Sequence, residues 1–150
     1  LAWTHADMQT DPMDVLKAYE HYIKQSQTNA QIVVKGKRVN RPWLDWAFTF
    51  CMAVIASFAL RKWLNDINAQ PKLFSRDFYN KMVNPPLDFS LDLYLLYLAK
   101  VNNYTITTFP VEFKPRIHGQ SKWAFSFSSK WKTILRSLKY IFSLRKAVIK

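Results

Sequence analysis

The residues best suited to chemistry fall into three short groups and two isolated carboxylates. The first group is Thr4-His5-Ala6-Asp7-Met8-Gln9-Thr10-Asp11-Pro12. Asp7 can ligate a hard divalent cation through oxygen, and Gln9 can add a carbonyl or hydrogen-bond a metal-bound water. Asp7 and Asp11 serve equally well as plain helix caps. The second group, Lys35-Gly36-Lys37-Arg38 with Arg41, suits phosphate. Guanidinium forks pair bidentately with phosphate oxygens, and glycine lets the backbone approach an anion. A solvated basic turn is the alternative. The third group is Lys114-Pro115-Arg116-Ile117-His118-Gly119-Gln120-Ser121-Lys122. Such a loop, with four potential cationic or hydrogen-bonding side chains, could close over a diphosphate and supply positive charge where a leaving group turns negative. His118 alone reads as readily as a surface residue. Asp66 and Asp92 each suit a general base if they reach an acceptor proton. Loop hydrogen bonding for Asp66 and helix capping for Asp92 are their structural alternatives.

Elements of alternating type must position these groups. Residues 1–4 form a strand tail, and Asp11-Pro12 opens a helix carrying Val15, Leu16, Tyr19, Tyr22 and Ile23 at helical spacing. Residues 31–34 are a short β-branched strand that runs into the basic loop 35–38, and Pro42 starts an apolar helix reaching about residue 64. Leu73-Phe74 is a brief strand, and residues 77–82 allow one or two helical turns before Pro85-Pro86. Asp88 or Ser90 caps a helix containing Leu91, Tyr94, Leu95 and Leu98. Residues 104–113 alternate as a strand, and from Trp131 a helix sets Ile134, Leu135, Leu138, Ile141 and Phe142 opposite Lys132, Arg136, Lys139 and Lys146. Strands alternating with helices mean an α/β fold with mixed strand order.

Composition bounds the rest. The 150 residues are 49% hydrophobic and 16% aromatic with two glycines, which is the make-up of one folded domain and excludes a disordered polymer. The net charge of +12 points to a polyanionic partner, and every charged side chain from Lys114 onward is Lys or Arg. Cys51 alone permits neither an intrachain disulfide nor a cysteine-rich metal site. The uncharged run 46–60 falls short of the roughly 20 residues of a spanning helix, so it reads as a buried or half-buried helix, with an in-plane membrane contact as the alternative. No basic, apolar leader begins at Leu1, and a strand opening the chain without a preceding turn reads as the start of a fragment.

Taken in order, the groups resemble family 2 glycosyltransferases of the dolichyl- or polyprenyl-phosphate sugar synthase type. His5-Ala6-Asp7-Met8-Gln9 with Pro12 is similar to their Asp-Ala-Asp-Leu-Gln-x-x-Pro signature, and Lys35-Gly36-Lys37-Arg38 to their Gly-Ser-Arg loop. Asp66 through Lys72-Leu73-Phe74 is similar to Asp-x-x-x-Gly-Phe-Lys-Leu-Phe. Pro110-Val111-Glu112-Phe113 through Arg116 and Gly119 to Ser121-Lys122 is similar to Pro-Val-x-(Tyr/Phe/Trp)-x-x-Arg-x-x-Gly-x-Ser-Lys.

The resemblance implies the acceptor-side half of a GT-A fold over residues 1–126, with the nucleotide-binding half missing; the basic amphipathic helix of 127–150 suits a membrane interface by its own pattern, with docking on its own domain or on transmembrane segments outside this sequence as the alternative. It implies an inverting transferase that moves a sugar from a nucleotide-diphospho-sugar donor to a polyprenyl-phosphate or saccharide acceptor, with Mg²⁺ or Mn²⁺ as cofactor. The setting would be the cytoplasmic face of a membrane with an anionic surface, in cell-envelope polysaccharide synthesis. Asp7 with Gln9 would hold the metal, Arg38 would face phosphate, Arg116 and Lys122 would steady the departing diphosphate, and Asp92, then Asp66, would be the base for a hydroxyl acceptor. The fragment alone would be inactive.

Three departures qualify this. His5 replaces the first Asp of the signature, Gln70-Pro71 replaces the small residue before Lys72, and Asp45 stands about where polyprenyl-phosphate enzymes place an arginine. A non-catalytic homologue is therefore an alternative. A nucleic-acid-binding module, suggested by the charge and by Trp123, Phe125, Phe127 and Trp131 among lysines, leaves the Asp7 loop and the order of the segments unexplained.

Overall fold

The computed structural model describes residues 1–6, 9–113 and 127–148. Its elements, in order, are β1 (Ala2–Trp3), α1 (Asp14–Ser26), β2 (Ile32–Val39), α2 (Trp43–Leu60), β3 (Lys72–Phe74), α3 (Arg76–Tyr79), α4 (Leu91–Val101), β4 (Thr105–Glu112) and α5 (Phe127–Val148). The strands form one mixed sheet in the order β1-β3-β2-β4. β3 runs antiparallel to both β1 and β2, whereas β4 runs parallel to β2. Consequently β1, β2 and β4 all end at one edge of the sheet, the edge where β3 begins.

Period-two alternation sends neighbouring residues to opposite layers. Val34, Leu73, Phe109 and Val111 pack against Ala18 of α1. On the opposite face Val33 and Phe74 meet Leu93, Leu95, Leu96 and Tyr97 of α4, Ala56 and Leu60 of α2, and Ile141 of α5. The α/β class expected from the sequence holds as three layers, helix, sheet and helices.

One local expectation fails. The basic run 35–38 is not a loop, because β2 continues through Val39 and pairs with β4 over its whole length, Ile32 opposite Thr105 and Val39 opposite Glu112. Two features let a charged segment stay in the ladder. Lys35 finds two carbonyl oxygens for its amino group, described below, and Gly36 has no side chain to clash with the loop that crosses it.

α2 is built inside out. Its buried residues are Ala53, Ala56, Ser57, Ala59 and Leu60, nearly all small. Its large residues, Trp43, Leu44, Trp46, Phe50, Val54, Ile55 and Phe58, face outward. Among the described residues it is the one helix long and apolar enough to cross a membrane, by length and composition. It ends where Arg61 turns left-handed, at φ 52°, and Ser57 Oγ bonds both the amide and the carbonyl of Leu64, folding the chain back on the last turn.

α5 runs from Phe127, the first residue of the expected basic helix, to Val148. Its Leu138, Ile141 and Leu144 pack on the domain core, while Leu135 and Phe142 stay exposed beside exposed Lys132, Arg136, Lys139 and Lys146.

Candidate functional site at the carboxyl edge of the sheet

In an open α/β sheet, ligands bind outside the carboxyl ends of the strands. Here that edge gathers His5 and Gln9 after β1, Arg38 and Arg41 at the end of β2, the 66–71 loop before β3, and Phe113 after β4. These come from distant parts of the sequence, and the strand directions bring them together.

Asp66 is the hub of the first cluster. It is buried and left-handed, at φ 43°, a conformation aspartate tolerates better than most residues. Arg38 holds it three ways: its backbone amide donates to Oδ2 at 3.0 Å, Nε donates to Oδ1 at 2.9 Å, and Nη2 adds a short bond to Oδ1. Arg41 stands off at 3.4 Å from the same oxygen. Burial pushes the Asp66 carboxyl up, but hydrogen bonding and charge from Arg38 overcome this and leave it below the ordinary carboxylate range. The Arg38 guanidinium also lies over the Phe113 ring, 5.2 Å from its centroid, and the His5 ring meets Phe113 at a steep angle with the ring centroids 6.3 Å apart.

Arg41 is the member with capacity to spare. Its Nη1 donates to Thr49 at 3.0 Å, its carboxylate partner is already saturated by Arg38, and its buried Nε has no hydrogen-bond acceptor among the described residues. Burial, then the Arg38 charge, lower its proton affinity, with the Asp66 and Asp45 carboxylates opposing them.

A second cluster surrounds Asp92 at the first turn of α4. Lys72 forms an ion pair with Oδ1, Trp3 Nε1 donates to Oδ1 at 3.1 Å, and Gln70 Nε2 donates to Oδ2 at 3.2 Å. One carboxylate thus ties β1, β3, α4 and the loop through the cis Gln70–Pro71 bond. Lys72 is fully buried, and it also donates to the Ile67 carbonyl at 2.8 Å.

Between the clusters, Lys35 of β2 lies directly opposite Lys72 of β3, two buried lysines in register. Like charges so placed repel. The Lys35 Nζ donates to the carbonyls of Asn65 at 2.6 Å and Asp66 at 2.9 Å. A neutral amine has two N–H groups, and two carbonyls receive them. Burial is the main cause that brings the Lys35 pKa down to about 7, with Lys72 and Arg38 adding to it and Asp66 opposing it.

Between about pH 7 and the unfolded value near 10.5, the unfolded chain binds more protons at Lys35 than the folded one, so folding is favoured increasingly as pH rises. In urea titrations, wild type should gain about 3 kcal/mol over Lys35→Met between roughly pH 7 and pH 10. Parallel stability profiles for the two proteins would rule out a neutral Lys35.

The structure places the candidates expected from the sequence unevenly. Arg38 and Asp66 are brought into direct contact, Asp92 sits in its own cluster with Lys72, and His5 and Gln9 lie at the same edge. Asp7, Arg116, His118, Ser121 and Lys122 fall outside the described residues. Among the described residues no three His, Cys, Asp or Glu side chains group as a metal site. Sequence reasoning misses the parts played by Lys72, Trp3 and Gln70. A lysine inside a three-residue apolar strand, Lys72-Leu73-Phe74, is the available signal for the first; nothing local marks the other two.

The fold and edge define an α/β protein with a four-strand mixed sheet and a cation-rich carboxyl edge. No protein-family model, no curated protein and no solved structure matches the chain.

Proposed function

We propose that the carboxyl edge is the acceptor and diphosphate side of an inverting, membrane-associated glycosyltransferase of family 2 that uses a nucleotide-diphospho-sugar. The observation that carries this is Arg41, a buried guanidinium with an unmatched Nε, beside Arg38 at the end of a central strand. Such a cation is poised for phosphate oxygens. β1 and β4, the strands that precede the Asp7 and Arg116 motifs in the sequence, both end at this edge, which supports the roles those motifs suggest. Under this reading Asp7 and Gln9 would hold Mg²⁺ or Mn²⁺, which would supply charge neutralisation at the diphosphate.

The two carboxylates bear on the acceptor. Asp66 is consumed by Arg38, and Asp92 accepts from Lys72, Trp3 and Gln70. Both are suited to orienting cations and poorly placed to take a proton. A phosphate acceptor, already an anion, needs no base, whereas a sugar hydroxyl does. This favours a lipid-phosphate acceptor over a saccharide. The same engagement of both carboxylates, with His5 in the acidic motif, is what favours the second reading, a homologue that binds without catalysing transfer.

The test uses the complete reading frame, assayed for divalent-dependent transfer from a panel of nucleotide sugars to polyprenyl phosphate. Arg41→Gln and Asp7→Ala should each lower kcat by roughly a hundredfold. Turnover unchanged in both variants would remove the proposed site. Donor binding without turnover in the wild type would select the non-catalytic homologue.

A further inference from the structure

The outward face of α2 is the largest feature that the transferase reading does not use. Helices of soluble domains turn large apolar residues inward and polar ones outward. α2 does the reverse: alanines and a serine meet the core, and Phe58 stands 86% exposed, Trp43 73%, with Trp46, Phe50, Val54 and Ile55 on the same outward side. No charged residue interrupts the helix from Trp46 to Leu60. A contiguous face of this kind marks an interaction site.

Its surroundings name the partner. Tryptophans stand at both ends, Trp43 and Trp46 at the start and exposed Trp63 just past the finish. Exposed Arg61 and Lys62 follow the last turn, and with Arg145 of α5 they line one groove of about 440 Å³. Aromatic rings at the margins of an apolar strip, with cations beside it, match the headgroup layer of an anionic bilayer.

The helix is nonetheless unable to span. Arg41, immediately before it, and Asp66, shortly after it, lie 3.4 Å apart, and Leu64 is bonded back onto Ser57. Both flanks therefore belong to the same side of any bilayer. Upright insertion would also drag Arg61 and Lys62 through hydrocarbon, at high cost.

We infer that α2 lies in the plane of an anionic membrane, its face of Trp43, Trp46, Phe50, Val54, Ile55 and Phe58 sunk to the acyl boundary. The occupant is lipid, and the same face of a second copy or of another part of the chain is an outcome for the test. The inference goes beyond the transferase reading, because lipid binding is measured without donor or acceptor, so either can fail alone.

Cys51, the only cysteine, is exposed on this same side of α2 and gives a direct probe. The protein carrying a nitroxide at Cys51 is mixed with phosphatidylcholine vesicles, with and without phosphatidylglycerol. On the anionic vesicles the label should become accessible to oxygen and shielded from a water-soluble nickel complex. In parallel, Trp46→Ser/Phe58→Ser should reduce vesicle co-sedimentation at least about tenfold while leaving the circular dichroism unchanged. Equal sedimentation of both proteins, or a label that stays open to nickel on bound protein, overturns the inference. So does absence of vesicle binding, whether or not the face instead mediates a self-association that the double variant abolishes.

Discussion

Gly36→Ala should cost about 3 kcal/mol or more of folding stability, and its damage should begin at the carboxyl edge. A Cβ on Gly36 would fall deep inside contact distance of the Gln70 carbonyl oxygen, and 2.9 Å from both the Gln70 carbonyl carbon and Val111 Cγ2. Two of those three atoms are backbone, so no side-chain rotation relieves the clash. The Gly36 amide also donates to the Pro71 carbonyl at 2.9 Å, the bond that holds the 66–71 loop against β2. Moving that loop displaces Asp66 from Arg38 and Gln70 from Asp92 together. Urea midpoints measure the loss, and hydrogen exchange of the Gly36 amide locates it. A variant as stable as wild type, with that amide equally protected, would show that the loop has room the geometry denies.

Asp66→Asn should be nearly as severe, at about 3–5 kcal/mol, because it leaves the Arg38 guanidinium buried without its counter-ion. The asparagine amide can still accept from the Arg38 backbone, yet it cannot neutralise either arginine. Changing acid and base together, as Asp66→Leu with Arg38→Met, should recover part of the loss, since an apolar pair needs no compensation. The folded-state carboxyl is depressed, so its stabilising effect is full above the unfolded pKa near 3.8 and disappears as pH falls through the lower folded value. Asp66→Asn should therefore flatten the acid limb of the stability profile. A loss below about 1 kcal/mol, with an acid limb like that of wild type, would mean the cluster is ornamental to stability.

Much of the fold was legible because local patterning and pairing agree. The alternation of threonines with Ile106, Phe109 and Val111 announces β4, and the helical spacing of Leu91, Tyr94, Leu95 and Leu98 announces α4. What could not be read was set by register. Lys35-Gly36-Lys37-Arg38 looks like a loop on composition, since strands rarely bury lysine; only the partner strands reveal that Lys35 faces Lys72 and that carbonyls of the 65–66 segment receive its protons. The site divides the same way. Arg38 and Asp66 stand out in the sequence as chemically able residues, but their mutual grip, which makes Asp66 an anchor, depends on a turn with a left-handed residue that no spacing rule specifies. α2 shows the complementary case. Its apolar composition was plain, and which of its faces met the core was not, because a helix apolar all round carries no polar side to orient it.

The indole of Trp3 reaches Asp92 across 89 positions of sequence, and no tight hairpin joins any two of the four described strands. Every strand must wait for a neighbour delivered from far along the chain, so little of the closure entropy is recovered until several loops shut together. Such a topology folds slowly and late. On a ribosome the segment bearing α2 would emerge and sit exposed, with its tryptophans and phenylalanines uncovered, well before β4 arrives to complete the sheet. Wherever that outward face comes to rest, it must be shielded during synthesis from its own kind.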